Sequence, residues 1–370
     1  MLNSYFDDYA RDYAYYKDGA WCYEDGCLYR GLIALHEATG DNRWLAHLRR
    51  LVDGQIDSVG NLRGYAIEEF NIDNILSGRA LIYLFRLTGD ERYRKAIEAQ
   101  IQQLRAHPRI SAGCHWHKLR YPHQVWLDGL YMSQPFKAEA GALLQMPSLV
   151  QEAVDETLSA LDLTFDPPTG LYRHGYDERR LQAWAHPTTG LSSAHWGRAI
   201  GWMSMALVDL VAVLPEGQGR ERLADKLSAL LSRLAALRTA DGRWLQVVDD
   251  PDLPGNYAES SATAMFAYVF QKAERLGIAG VDGDIGRRAL SALELHALKS
   301  RPGMRPVLGG ICCVAGLGGF SGRYRDGSAA YYITEELRDD DIKGVGPMMM
   351  AYAEQLLERQ THRAVDAVTS

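Results

Sequence analysis

A repeated helix–stop–helix unit constrains the fold of this chain more than any other feature. Ala38-Thr39-Gly40-Asp41 ends one helical pattern and opens the next over Arg43–Ile56; Leu87-Thr88-Gly89-Asp90, 49 residues later, does the same before Glu91–Leu104. Glycine supplies the left-handed residue on which helices stop, and aspartate accepts an unpaired N–H in the first turn of the next helix. Each unit is therefore a tight antiparallel helix pair. Leu28, Leu32 and Leu35 mark one member, and Ile72, Ile75, Leu76, Ala80, Leu81 and Leu84 another, largely at spacings of three and four. Further pairs follow at 128–145 with 148–162, 198–214 with 219–238, and 259–275 with 283–298. A last helix covers 344–359, and residues 3–17 can supply its partner.

Six such pairs without a Pro/Gly/Ser-rich linker predict an all-α fold, a single (α/α)6 barrel of six inner and six outer helices over residues 1–370. About 1–20 and 360–370 are expected as peripheral ends. Strand–helix alternation of the kind that builds a parallel sheet is missing, so β-prone pieces such as Arg243–Val248 and Tyr331–Thr334 are expected as decorations on loops. A two-domain helical protein is the competing architecture, but no boundary marks it.

Composition excludes several function classes. A formal net charge of −7 argues against a nucleic-acid binder, which needs a basic footprint. No apolar run approaches the ~20 residues that span a bilayer, and the amino terminus carries no basic start followed by an apolar stretch. The five cysteines, Cys22, Cys27, Cys114, Cys312 and Cys313, form neither a disulfide framework nor C-x-x-C, which predicts a reduced, cytoplasmic protein. His115 and His117 alternate without H-x-x-x-H or a Cys/His set, and there is no Walker, G-x-G-x-x-G or G-x-S-x-G motif. Neither a metal nor a cofactor is expected. The glycines between Leu308 and Phe320 read as a flexible loop.

In a toroid the N-terminal ends of all inner helices face one mouth. That places Trp21–Asp25, Asn71–Asn74, Trp126–Asp128, Trp196–Trp202, Tyr257–Ser261 and Asp341–Lys343 together. An aromatic-lined cleft holding a few acids is a common way to grip sugar rings. Within it, Asp128 stands in an apolar run beside Trp126, with Lys118, Arg120, His117 and His123 upstream. A capping or core aspartate is the plain alternative; desolvation by Trp126 is expected to raise its pKa, as suits a proton donor. Asp73 is either a first-turn aspartate favourable to its helix or a second carboxylate facing Asp128, in which case the two would leave one protonated near neutral pH. Trp196, Arg198 and Trp202 bracket another helix start, where the guanidinium can fork onto a carboxylate. His174 falls on a short loop. Glu259 and Lys343 are expected as loop or cap residues shaping the mouth.

The blocks HWHKLRYPHQVWLDGLYMSQPF, HPTTGLSSAHWGRAIGWMSMAL, GNYAESSATAMFAY and RDGSAAYYITEELRDDDIKGVG resemble the unsaturated rhamnogalacturonyl hydrolases, glycoside hydrolase family 105, over about Trp21 to Ala353. The resemblance implies an (α/α)6 barrel, in agreement with the hairpin count. It also implies removal of the 4,5-unsaturated uronic acid from the non-reducing end of lyase-generated pectin (rhamnogalacturonan) oligosaccharides, by hydration of a vinyl ether. It carries the catalytic aspartate onto Asp128 and the second active-site aspartate onto Asp73. Substrate contacts fall on His117, Lys118, Trp126, His174, Trp196, Arg198 and Trp202, with Tyr23 in a segment that aligns less closely. Ser193-Ala194-His195 is a variable stretch on the aglycone side. An unsaturated glucuronyl hydrolase, an inverting glycosidase on saturated substrate, a sugar isomerase and a non-catalytic sugar binder are the alternatives.

Overall fold

The helix stops behave as their chemistry dictates. Gly40 and Gly89 adopt left-handed φ values of 65° and 66°, each donating its N–H to the carbonyl four residues back. Asp41 and Asp90 accept the N–H groups of Arg43 and Arg92 at 3.0 and 2.9 Å. The resulting helices are α1 (Leu2–Asp12), α2 (Tyr23–Thr39), α3 (Asn42–Asp53), α4 (Gly78–Thr88), α5 (Glu91–Ala106), α6 (Leu127–Leu143), α7 (Pro147–Thr164), α8 (Gly197–Val213), α9 (Gln218–Ala236), α10 (Ser260–Arg275), α11 (Asp284–Ala292), the single turn α12 (Ala329–Tyr332) and α13 (Ile342–Thr369). The computed structural model describes the backbone of residues 1–369, and their side chains except at Arg301 and residues 362–369.

Helices α2, α4, α6, α8, α10 and α13 pack each on the next, and α13 returns to α2, closing an (α/α)6 barrel. Helix α8 shows what an inner position demands: every residue from Gly197 to Val211 is buried, so it carries no polar face. The outer helix α3 buries only Trp44, Leu48, Leu51 and Val52, a stripe at helical spacing. Residues 1–20, expected as a peripheral end, are instead integral. Helix α1 buries Leu2, Tyr5, Phe6 and Tyr9 and lays Phe6 against Tyr352 of α13. The other expected end, 360–370, lies from His362 onward outside the residues whose side chains are described.

Four two-stranded antiparallel ribbons decorate the loops: β1 (Gln124–Trp126) with β4 (Gly175–Asp177), β2 (Phe165–Asp166) with β3 (Leu171–Tyr172), β5 (Leu298–Arg301) with β6 (Met304–Leu308), and β7 (Gly318–Phe320) with β8 (Arg323–Arg325). They are not where β-propensity put them. Arg243–Val248 makes only isolated bridges, from Leu245 to Ala258 and from Val247 to Trp196, and Tyr331 and Tyr332 lie in α12. Part of the glycine-rich segment is ordered, as Gly318 and Gly319 belong to β7. The helix expected to reach residue 298 ends at Ala292, continues as a π turn over Leu293–Ala297, and then feeds β5.

Deep in the inner ring lies a layer of buried charge. Arg79 meets Glu139 at 2.5 Å and Asp209 at 2.7 Å, and Asp209 also accepts from Lys272 at 2.7 Å and from the Tyr268 hydroxyl. Glu139 follows Asp128 by eleven residues on α6, which sets this layer about 16 Å along the axis from the mouth.

Candidate active site

The mouth holds a cavity of about 820 Å³. It is lined by Asp73, Asp128, His117, Lys118, Trp126 and Tyr23 among the expected residues, and also by Lys17, Arg120, Tyr121, Phe320 and Arg325. The ribbon β1–β4 explains how distant residues meet there. Pairing of Trp126 with Gly175 brings the Leu127 N–H onto the His174 carbonyl at 2.9 Å, so His174 faces the first turn of α6. Its Nε2 stands 3.0 Å from Asp128 Oδ2, out of line for a direct hydrogen bond. Far from being a surface loop residue, His174 is fully buried. Its Nδ1 shares a 2.6 Å hydrogen bond with the Tyr332 hydroxyl. Burial first, then Tyr331 and Asp128, raises the Tyr332 pKa well above that of a free phenol, so the hydroxyl keeps its proton.

Asp73 sits in a 3-10 turn (Ile72–Ile75) ahead of α4 rather than in the helix itself. Asn71 caps that turn by accepting the Asp73 N–H at 3.2 Å. The Asp73 carboxylate meets Lys118 Nζ at 2.5 Å and lies 3.5 Å from His117 Nε2. Burial pushes the Asp73 pKa up, but Lys118 and His117 pull it further down, so it sits below the usual aspartate value. Asp128 behaves alike: burial raises it, and His174 and then His117 more than offset that. The expected separation of two facing carboxylates, with Trp126 holding Asp128 protonated, is therefore corrected for the free protein. Lys118 and His117 at Asp73, and His174 and His117 at Asp128, outweigh the desolvation of the two acids.

Aromatic rings form the walls. His117, Trp126 and Tyr121 stack in sequence, with ring centres 4.3 and 4.7 Å apart. Trp126 meets His174 edge-on at 5.4 Å, and Trp196 stacks on Tyr332 at 5.5 Å. The indole N–H groups of Trp126 and Trp196 donate to Gln124 and Gln246 at 3.1 and 3.0 Å, which fixes both rings. Burial holds the His117 pKa down at about 4, so it is a neutral ring near pH 7.

Besides His174 and Trp196, which pack behind the cavity against Asp128 and Tyr332, two further expected residues stand apart from it. Arg198 lies beneath it, its Nη1 donating to the Cys312 carbonyl and, at 3.2 Å, to Ser261, with Glu259 at 3.9 Å. Trp202, one turn deeper in α8, stacks on Tyr131 at 5.2 Å within the barrel. Glu259 is a cap, accepting the Ala262 N–H of α10 at 2.6 Å, and Lys343 pairs with Asp341 at 2.7 Å. His115 bonds Glu156 at 2.8 Å away from the cavity, where Lys137 already lies against both Glu152 and Glu156.

Sequence reasoning missed Tyr332, Tyr121, Phe320 and Arg325. Tyr121 lay inside the dense 117–134 segment, where its place in an aromatic cluster was a usable signal. The other three come from segments with no periodicity that ties them to the mouth.

Relatives bear on what this arrangement is. The chain is 48% identical over 231 residues to Protein Atu3128 of Agrobacterium fabrum, spanning 61% of this chain and 99% of that one. It is 27% identical over 266 residues to the unsaturated rhamnogalacturonyl hydrolase YesR of Bacillus subtilis, spanning 70% of this chain and 72% of that one. A glycoside hydrolase from family 105 of C. acetobutylicum ATCC 824 superposes with a TM-score of 0.90 at 35% identity, over 96% of this chain and 98% of that structure. The profile of Glycosyl Hydrolase Family 88 matches residues 2–358. The chain belongs to Glycosyl Hydrolase Family 88, shares the family 105 grouping of its solved relative, and is a glycoside hydrolase.

Proposed function

We propose that the enzyme removes a 4,5-unsaturated uronic acid from the non-reducing end of lyase-generated rhamnogalacturonan oligosaccharides, by hydrating the vinyl ether of that residue. The observation that carries this reading is the asymmetry of the two aspartates. Asp73 is neutralised by Lys118 at 2.5 Å, whereas the Asp128 side chain keeps 15% of its surface open to the cavity and has no lysine or arginine against it among the described residues. An inverting glycosidase needs two free carboxyl groups, one acid and one base. Vinyl-ether hydration needs one group that first gives a proton and then takes one back. The likeness to YesR, an unsaturated rhamnogalacturonyl hydrolase, supports the same class and the rhamnogalacturonan source. The five cysteines, all unpaired, support a reducing, cytoplasmic setting, and residues 1–370 would act as one catalytic unit.

Substrate binding converts Asp128 into the acid. A sugar filling the cavity removes the remaining water, and its carboxylate adds negative charge nearby; both disfavour the ionised form. Protonated Asp128 delivers its proton to C4, and positive charge develops at C5 and the ring oxygen. The Asp128 carboxylate then takes a proton from water as the water oxygen bonds to C5. The hemiketal opens to a ketone at C5, leaving a hemiacetal at C1 whose collapse expels the aglycone as an alcohol. His174, His117 and Lys118 hold the acid pair and the sugar hydroxyls, and Trp126 and Tyr23 supply the ring contacts. In this scheme Trp196, Arg198 and Trp202 act from behind the cavity wall by fixing the rings and α8.

The test is a panel of unsaturated oligosaccharides from several lyases, followed by loss of the ultraviolet absorbance of the conjugated double bond. Loss with rhamnogalacturonan products is the expected result. Action confined to glucuronate-containing products would move the enzyme to the glucuronyl class, and action on saturated glycosides alone would exclude vinyl-ether hydration.

A further inference from the structure

A buried cation needs a counter-charge, because an uncompensated charge in a protein interior costs several kcal/mol. The buried cations Arg79, Lys137, Arg198, Lys272 and Lys343 each have a carboxylate within 4 Å. Arg30 lies in the field of Glu139 and Asp209. Arg325 differs: it is 5% exposed, lines the cavity, and has no carboxylate within 4 Å among the described residues.

Its guanidinium is held in place by neutral acceptors. Nε donates to the Gly318 carbonyl at 3.3 Å, and Nη2 donates to the Leu317 carbonyl at 3.0 Å and the Tyr121 hydroxyl at 2.9 Å. Nη1 has no hydrogen-bond partner among the described residues. Space for it is kept by Gly316, where a Cβ would stand 2.4 Å from Nη1. Phe320 has two guanidiniums against its ring, Arg325 at 4.8 Å and the exposed Arg120 at 5.2 Å. The other cavity cations are answered, Lys17 by Glu24 at 3.1 Å and Lys118 by Asp73. Of the remaining wall acids, Asp128 faces His174 and Glu69 is exposed to solvent. The cavity thus has a reacting end at Asp73 and Asp128 and a rim end where two arginines flank an aromatic ring.

We infer that Arg325, Phe320 and Arg120 form a subsite for a second acidic group on the substrate, beyond the residue being removed. The substrate class is then an unsaturated oligosaccharide whose aglycone carries a carboxylate or a sulfate, with Phe320 stacking on a sugar face and the guanidiniums binding the anion. This rests on the unsaturated-uronate reading above and adds to it what lies on the other side of the scissile bond.

The experiment compares KM for three unsaturated substrates: a disaccharide with a neutral aglycone, an oligosaccharide with a carboxylated aglycone, and one with a sulfated aglycone. The charged substrates are expected to show a KM lower by about tenfold, the scale of a charge-assisted hydrogen bond, and the advantage should shrink at high salt. A preference for one charged arm names the group bound. Arg120→Ala and Phe320→Ala, both at exposed positions, should raise KM far more for charged substrates than for the neutral one. Arg325→Gln should do so more strongly, with its thermal unfolding measured alongside. Turnover of all three substrates with equal KM, or variants that weaken all three equally, would overturn this inference and leave the unsaturated-uronate reading standing. No turnover of any of them would overturn both.

Discussion

The inner barrel carries two polar layers, and they follow opposite rules. In the deep layer Arg79, Glu139, Asp209, Lys272 and Tyr268 satisfy one another, and only Arg30 Nε is left over there among the described residues. At the mouth, Asp73 Oδ1, Asp128 Oδ2, His117 Nδ1 and His174 Nε2 are buried without a hydrogen-bond partner among the described residues. Buried polar atoms are normally paired, and a cluster of unpaired ones in a cavity wall calls for an explanation. The same ring therefore separates tasks by depth: a closed ion network ties the helices together, and an incomplete one awaits a sugar.

The comparison is broken most directly by removing the proposed acid. Asp128→Asn should lower kcat by about a thousandfold or more while binding persists, because the amide cannot deliver the proton. Retained turnover, followed by loss of the unsaturated chromophore, would take Asp128 out of the role. The deep layer should fail differently. Arg79→Met strands Glu139 and Asp209 and should cost about 3 kcal/mol or more of unfolding free energy, read from urea denaturation, with kcat of the folded fraction changed much less. Equal damage to kcat and stability would mean the layers are not separate.

A smaller effect tests how the mouth is set. Tyr332→Phe keeps the ring on Trp196 and deletes only the hydroxyl on His174 Nδ1. A fall in kcat of about tenfold, with a shifted pH profile and KM nearly unchanged, is expected for an imidazole whose proton position is no longer fixed. An unaltered profile would leave Tyr332 a packing residue. The smallest effect is a slope. Burial holds folded His117 at about 4 against its ordinary 6.5. Between those values the unfolded chain binds a proton that the folded protein refuses, so stability falls as pH drops through that window. His117→Gln should flatten this fall in denaturant midpoints taken at about pH 7 and about pH 5. Some slope will persist, because burial also pushes His107 down, to about 3.

What the sequence disclosed follows the range of the interactions. Caps at Asp41 and Asp90 and stops at Gly40 and Gly89 act within one turn, so the hairpins and their closure into a ring were legible. Asp73, Trp126 and Asp128 could be placed together because they stand at expected helix starts, and His117 and Lys118 joined them through the family resemblance. The partner of Asp128 could not be found that way: His174 reaches it through a ribbon joining residues 124–126 to 175–177, and nothing local specifies that pairing. The direction of the Asp128 pKa depended on that missing neighbour, so a reading that weighed only Trp126 reversed it. Arg325 and Tyr332 belong to a three-residue strand and a single helical turn, elements too short for propensity to place them. Arg198 and Trp202 show the opposite error, since helical spacing gave their face correctly but not their depth.

The sixth hairpin is composite, for α1 stands beside α13 and α13 seals against α2. That seam tolerates no bulk: a Cβ on Gly346 would come within 2.3 Å of the Cys27 carbonyl, and one on Gly31 within 2.7 Å of Met349. Its two halves are about as far apart in the chain as the fold allows, so a nascent polypeptide leaving the ribosome holds an open arc until α13 arrives. The cavity is bounded on one side by Tyr16, Lys17 and Tyr23 and on another by Val314, Phe320 and Arg325. Its walls thus come from segments about 300 residues apart, and the chamber is an event of completion: α13 must arrive and the ring must shut before there is an enclosed space in which a sugar can be held.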